Sequence, residues 1–200
     1  MSAQSYWPAT LAVTCLFAAC QSSPPTHYFA LTEIAPSAPR VTLAALIPIR
    51  VERVTIPGEL DRLDLVRRSS ANRLQIATFE RWAAPLEDMI RRVLTDDLAA
   101  RFAPGTIASV NEPAVGDPRR HLYIDVQEFT ADAHGTVALR AAWLLQTPNA
   151  AGMRGSEEVT VDAVNTTGDA AAAAMSRALA GFTDRIAAAL ASQPESKKSE

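Results

Sequence analysis

The chain has 200 residues, 48% of them hydrophobic and 20% charged, with a formal net charge of −3. That supplies a core for one domain and excludes a wholly disordered chain. The charge is mixed in sign along the chain, so no basic field exists for nucleic acid, and three histidines and two cysteines are too few and too scattered for a zinc cage.

Residues 6–19, YWPATLAVTCLFAA, are apolar apart from two threonines, and no charged side chain precedes Cys20. About 14 residues at ~1.5 Å each cannot cross ~30 Å of hydrocarbon, so the stretch has the size of the h-region of a secretory signal. It ends in Leu16-Phe17-Ala18-Ala19-Cys20, followed by Gln21-Ser22-Ser23-Pro24-Pro25. Two small residues before a cysteine and a polar run after it resemble a bacterial lipobox. Phe17 stands where leucine is usual, and the n-region has no Lys or Arg. The resemblance implies a cut before Cys20, a diacylglycerol on its thiol and an acyl chain on its new amine. Cys15, behind the larger Thr14, is a poorer acceptor; a plain cleavable signal is the alternative. One acyl chain holds a protein only reversibly, whereas three would anchor it lastingly. Gln21 rather than Asp after the cysteine implies an outer-membrane, periplasm-facing destination. The expected organisation is a signal peptide over 1–19, lipidated cysteine and tether over 20–26, one α+β domain over 27–192 and a polar tail over 193–200.

His27–Leu31 is a strand candidate. Leu46–Val51 alternates as a half-buried strand, and the apolar phase then moves to Val54 and Ile56, which predicts a bulge near Glu52-Arg53. Pro48 suits a strand start or an edge. Pro57-Gly58 marks a turn. Leu63–Arg67 and Arg73–Phe79 form a hairpin around Ser69–Asn72. Pro85 opens a helix with Glu87 and Asp88 near its positive end. Its apolar face is Leu86, Ile90, Val93, Leu94, Leu98 and Phe102, with Arg91, Arg92, Asp96, Asp97 and Arg101 mostly elsewhere around it. Pro104-Gly105 ends it, and Thr106–Val110 reads as a short strand. Leu122, Ile124 and Val126, then Val137 to Leu145, then Glu157–Val164 predict a three-stranded antiparallel meander with a turn at His134-Gly135. Asp169 is the expected cap of a last helix striped by Met175, Leu179, Phe182, Ile186 and Leu190. Each helix has one apolar face and must cover a sheet. The expected class is α+β, a mainly antiparallel sheet covered by two amphipathic helices, with a possible duplication of a β-rich/helix unit.

No phosphate-binding glycine loop, nucleophile elbow or H-E-x-x-H pair occurs. Glu87-Asp88 and Asp96-Asp97 read as dipole partners or solvated charges. Trp82 reads as a core lid over the helix start. No catalytic, metal or cofactor residue is expected, so the chain reads as a non-enzyme.

Several stretches taken in order carry a family resemblance. They are Tyr28–Leu31, Ile49–Arg62, Leu65–Arg68, Trp82–Leu86, Phe129 and Leu139–Trp143. Together they resemble the PqiC-type family, the ABC-type transport auxiliary lipoproteins. The resemblance implies an outer-membrane lipoprotein of an intermembrane lipid transport system. Its implied partner is an MCE-domain protein, whose periplasmic conduit it would dock to the outer membrane, supporting membrane integrity. A ring of identical copies would suit such a collar. Candidate partner contacts, from exposed turn chemistry, are Pro57, Gly58, Leu60, Asp61 and Arg62, with Arg67 and Arg68 of the hairpin; Cys20 is the lipidation site. The alternative is a lipoprotein that itself encloses a hydrophobic ligand.

Overall fold

The computed structural model describes residues 23–36, 40, 47–109, 119–148 and 150–192. Cys15, Cys20, the signal peptide and the polar tail lie outside the described residues. The elements are β1 His27–Phe29, β2 Ile49–Thr55, β3 Asp64–Ser70, β4 Arg73–Trp82, α1 Leu86–Arg101, β5 Arg120–Asp132, β6 Thr136–Gln146, β7 Met153–Asp162 and α2 Gly168–Ala191.

All strands join one 7-stranded sheet in the order β1-β4-β3-β5-β6-β7, with β2 also beside β5. β5 is the hub. β6 runs along one side of it; β2 takes Arg120–Asp125 and β3 takes Ala131 and Asp132 on the other, both parallel. The long ladders, β5–β6, β6–β7 and β3–β4, are antiparallel, so the expected α+β class and mostly antiparallel sheet are what the chain forms.

The bulge in β2 falls where the phase change predicts it. Register slips between Val51 and Arg53, so Val51 still opposes Leu122 and Val54 opposes Ile124. All four side chains are buried. Without the extra residue Val54 would point to the other face of the sheet. The β5–β6 turn is tied by Asp132 Oδ1, which accepts from the amides of His134 and Thr136, both at 2.8 Å. Gly135 sits at φ 88°, a left-handed conformation that explains a glycine there. Pro48 directly precedes β2. Trp82 is buried at the end of β4 as expected.

Three local expectations need correction. Thr106–Val110 does not form a strand among its described residues. It is held by one bridge, with Ile49 N donating to Thr106 O and Ala108 N to Ile49 O, each at 2.8 Å. The cap of α2 is Thr167, whose Oγ1 accepts from Ala170 N at 3.3 Å, while Asp169 lies in the first turn. The helix begins two residues earlier than a cap at Asp169 would place it, which puts the threonine oxygen within reach of the free amide. Third, Asp97 and Arg101 are 0% and 4% exposed rather than solvated.

That last difference has a packing cause. α1 packs against β2 and α2, and the extended segment Leu31–Ile34 lies along it as well, so its buried arc exceeds a single stripe. Thr32 N donates to Ser176 Oγ at 3.2 Å, Ile34 N to Asp97 Oδ1 at 2.9 Å and Arg92 Nη2 to Leu31 O at 3.1 Å. Arg101 pairs with Asp184 and donates to the carbonyls of Ile34, Asp97 and Ala180. Burial pushes the Asp97 carboxyl up to about 6, against the opposing pull of the Ile34 amide and the Arg101 guanidinium. Ile90, Leu94 and Leu98 of α1 and Met175, Phe182 and Ile186 of α2 share one core with the inward side chains of the sheet. Among the described residues, the opposite face of the sheet carries no helix.

Candidate functional site

The expected contact residues fall in two places. Pro57 to Asp61 form a turn closed by Leu60 N to Pro57 O at 2.9 Å and Asp61 N to Gly58 O at 3.3 Å. Gly58, Asp61 and Arg62 are exposed, Pro57 is half-buried, and the Leu60 side chain points into the core at 4% exposure. Arg67 and Arg68 lie on β3 and are engaged within the chain. Arg67 pairs with Glu80 at 2.8 Å; Arg68 pairs with Glu128 at 3.2 Å and reaches Ala71 O at 3.3 Å. Arg62 N donates to Leu60 O at 2.8 Å, while its guanidinium makes no hydrogen bond or ion pair among the described residues.

The helix-free face offers more. Alternation puts Leu122, Ile124 and Val126 toward the helices, and Tyr123 and Asp125 outward. The ladders then set outward residues side by side across four strands. One row is Arg53, Tyr123, Leu144 and Arg154, from β2, β5, β6 and β7. The next is Thr55, Asp125, Ala142 and Ser156. These rows line a mostly apolar, solvent-open hollow of about 550 Å³. A second hollow of about 580 Å³ adjoins it through Leu144 and Arg154 and extends to His121, Gln146 and Pro148.

The charges around the hollow differ in how they are used. Thr55 Oγ1 donates to Asp125 Oδ1 at 2.7 Å. His121 Nδ1 and Glu52 Oε1 lie 2.9 Å apart. Farther along the face, Glu128 takes both Arg68 and Arg140. Of the lining cations, Arg53 and Arg154 alone have side chains that make no hydrogen bond or ion pair among the described residues. Other exposed apolar side chains, Tyr28, Leu63, Ile76, Phe79 and Val164, are spread over β1, β4 and loops.

None of Arg53, Tyr123, Leu144 or Arg154 emerges from the sequence as a site. Their spacing along the chain is irregular, and only the register brings them into one row. The available signal was that Tyr123 and Leu144 are apolar on the outward side of half-buried strands. Among the described residues no group of three or more His, Cys, Asp or Glu is placed to hold a metal. No helix among them is long and apolar enough to cross a membrane.

The comparisons with known proteins add the family. The family model described as "ABC-type transport auxiliary lipoprotein component" matches residues 29–187. The chain belongs to this family. An auxiliary lipoprotein of this kind is a component of ABC-type transport, and the resemblance in the sequence is thereby met. The Escherichia coli (strain K12) intermembrane transport lipoprotein PqiC is 32% identical over 95 residues, 48% of this chain and 49% of the relative. The Shigella flexneri protein of the same name matches equally. The chain spans about half the length of the curated relatives it matches. Among solved structures, an uncharacterized protein superposes with a TM-score of 0.71 at 21% identity, covering 84% of this chain and 99% of the other. A Xanthomonas campestris protein gives 0.64 at 21% identity, over 82% and 94%. At that identity the auxiliary lipoprotein shares a fold with both and nothing more is implied.

Proposed function

We propose that this auxiliary lipoprotein is held on the periplasmic side of the outer membrane through Cys20 and docks the conduit of an MCE-domain protein belonging to an ABC-type intermembrane lipid transporter. The single observation that carries the reading is the family match over residues 29–187. The order of the chain supports it, since an apolar leader, a cysteine and a polar run lead into the domain at β1. Confinement to a plane raises the effective concentration of the domain near its partner, which gives the anchor a role in docking. The body acts by binding, without a reaction of its own. The exposed turn at Gly58, Asp61 and Arg62 is one candidate contact; Arg67 and Arg68 would first have to leave Glu80 and Glu128.

The test is co-purification from detergent-solubilised envelopes, with intact-mass analysis of the product. The expected result is an acylated chain beginning at Cys20 that brings down an MCE-domain protein. Recovery of the acylated chain alone refutes docking, and a free Cys20 thiol refutes the anchor. The reading as a carrier rests on the volume of the outward hollow, about 550 Å³. That volume suits a ligand, but the hollow is open to solvent, whereas carrier sites bury most of their ligand. Lipid other than the anchor, bound stoichiometrically to the purified protein, would favour the carrier.

A further inference from the structure

We propose that the row Arg53–Tyr123–Leu144–Arg154, on the helix-free face of the sheet, is the docking surface for an apolar protein segment flanked by two carboxylates. The inference rests on the docking reading above and names the surface and the partner chemistry.

Charge complementarity selects the occupant. Arg53 and Arg154 stand at the two ends of one cross-strand row, with Tyr123 and Leu144 between them and Ala142 beside Leu144's strand position in the next row. Most described arginines are engaged within the chain, as Arg67, Arg68, Arg81, Arg91, Arg140 and Arg185 are with carboxylates. The two that border the apolar hollow are not. A guanidinium left without a partner beside apolar surface keeps its full capacity for a bidentate carboxylate contact.

The spacing narrows the choice further. Three inter-strand steps put the end Cα atoms about 14 Å apart. Carboxylates separated by four residues of extended chain, or by nine or ten of helix, span that distance. A phospholipid carries its phosphate at one point and would leave one guanidinium unused. An open floor would also leave an acyl chain half in water. The one acid in the adjoining row, Asp125, is already bonded to Thr55 Oγ1 at 2.7 Å. The Glu52–His121 and Glu128–Arg140 pairs lie to either side along the face.

The experiment uses the full acylated chain in detergent and the purified periplasmic region of the MCE-domain protein from the same genome, with binding read by interferometry. The charge-reversing pair Arg53→Glu/Arg154→Glu is expected to weaken the association about tenfold or more, and Leu144→Ser to weaken it several-fold. Arg73→Glu, at an arginine on the β3–β4 hairpin away from the hollow whose guanidinium makes no bond among the described residues, is expected to change it less than about twofold. Melting temperatures within about 2 °C of wild type would confirm that the variants fold. If wild type binds and the charge-reversed pair binds equally well, docking stands and this surface is overturned. If wild type does not bind, the docking reading fails and the surface falls with it. Native mass spectrometry with added phosphatidylglycerol gives the remaining arm. Lipid retained by wild type and lost in the charge-reversed pair, with protein binding unchanged, would overturn the proposal in favour of a lipid surface.

Discussion

The two faces of the sheet treat charge in opposite ways. On the helix side, Asp97 and Arg101 are buried, and the guanidinium of Arg101 is divided among Asp184 and three carbonyls on separate segments. There the charges serve the fold, tying Ile34 at the entry of the chain to both helices. On the helix-free side, Arg53 and Arg154 flank an apolar floor and bind nothing among the described residues. A charge committed inside the fold should cost stability when removed. A charge left available outside should cost binding and leave stability alone.

The largest effect is expected at Arg101. Arg101→Ala should destabilise the fold by about 3–5 kcal/mol, because it leaves the buried Asp97 carboxylate uncompensated. Urea denaturation at neutral pH measures this. Replacing both members with apolar residues, Asp97→Leu with Arg101→Met, should cost much less than Arg101→Ala alone. If the double variant is the worse of the two, the cluster is held by its hydrogen bonds to Ile34 and Ala180 rather than by charge pairing.

Asp97 itself sharpens the contrast through pH. Its carboxyl is raised from 3.8 to about 6, so the folded state holds this proton more tightly than the unfolded chain does. Its favourable contribution is therefore complete below pH 3.8 and is lost as pH rises through 6, a change of roughly 3 kcal/mol. Asp97→Asn cannot titrate. The stability of that variant relative to wild type should rise by about this amount between pH 4 and pH 7. A flat difference across the window would mean that the folded carboxyl titrates normally.

A third prediction concerns how tightly the inward side is filled. Gly155 on β7 lies opposite Trp143 on β6, and a Cβ there would stand 2.7 Å from the indole. Gly155→Ala should cost about 1–3 kcal/mol and shift the near-ultraviolet circular dichroism of the tryptophan. Wild-type stability with an unchanged spectrum would show that the ring has room to move.

The same contrast explains which parts of the molecule could be read from its residues. The strands β5 to β7 and the stripe of α2 were legible because period-two and period-3.6 patterns are local. The bulge at Glu52 was legible because one extra residue visibly breaks a phase. Asp97 and Arg101 were not, because their burial depends on Leu31–Ile34 returning to α1 from about 60 residues away, a contact no local period encodes. The row from Arg53 to Arg154 was hidden for a related reason. Its members come from strands whose register is set by distant pairings, and an outward tyrosine or leucine on its own is unremarkable.

The smallest expected effect is the most discriminating. Arg53→Gln with Arg154→Gln removes two charges from the helix-free face and should alter unfolding free energy by less than about 0.5 kcal/mol, since neither guanidinium holds a partner among the described residues. Thermal and urea denaturation measure it directly. Two like charges on one face also repel weakly, so a slight gain in stability fits equally well. A loss comparable to that at Arg101 would mean that these arginines support the fold through contacts with the chain itself. They would then no longer be available to a partner, and the distinction between the two faces would disappear.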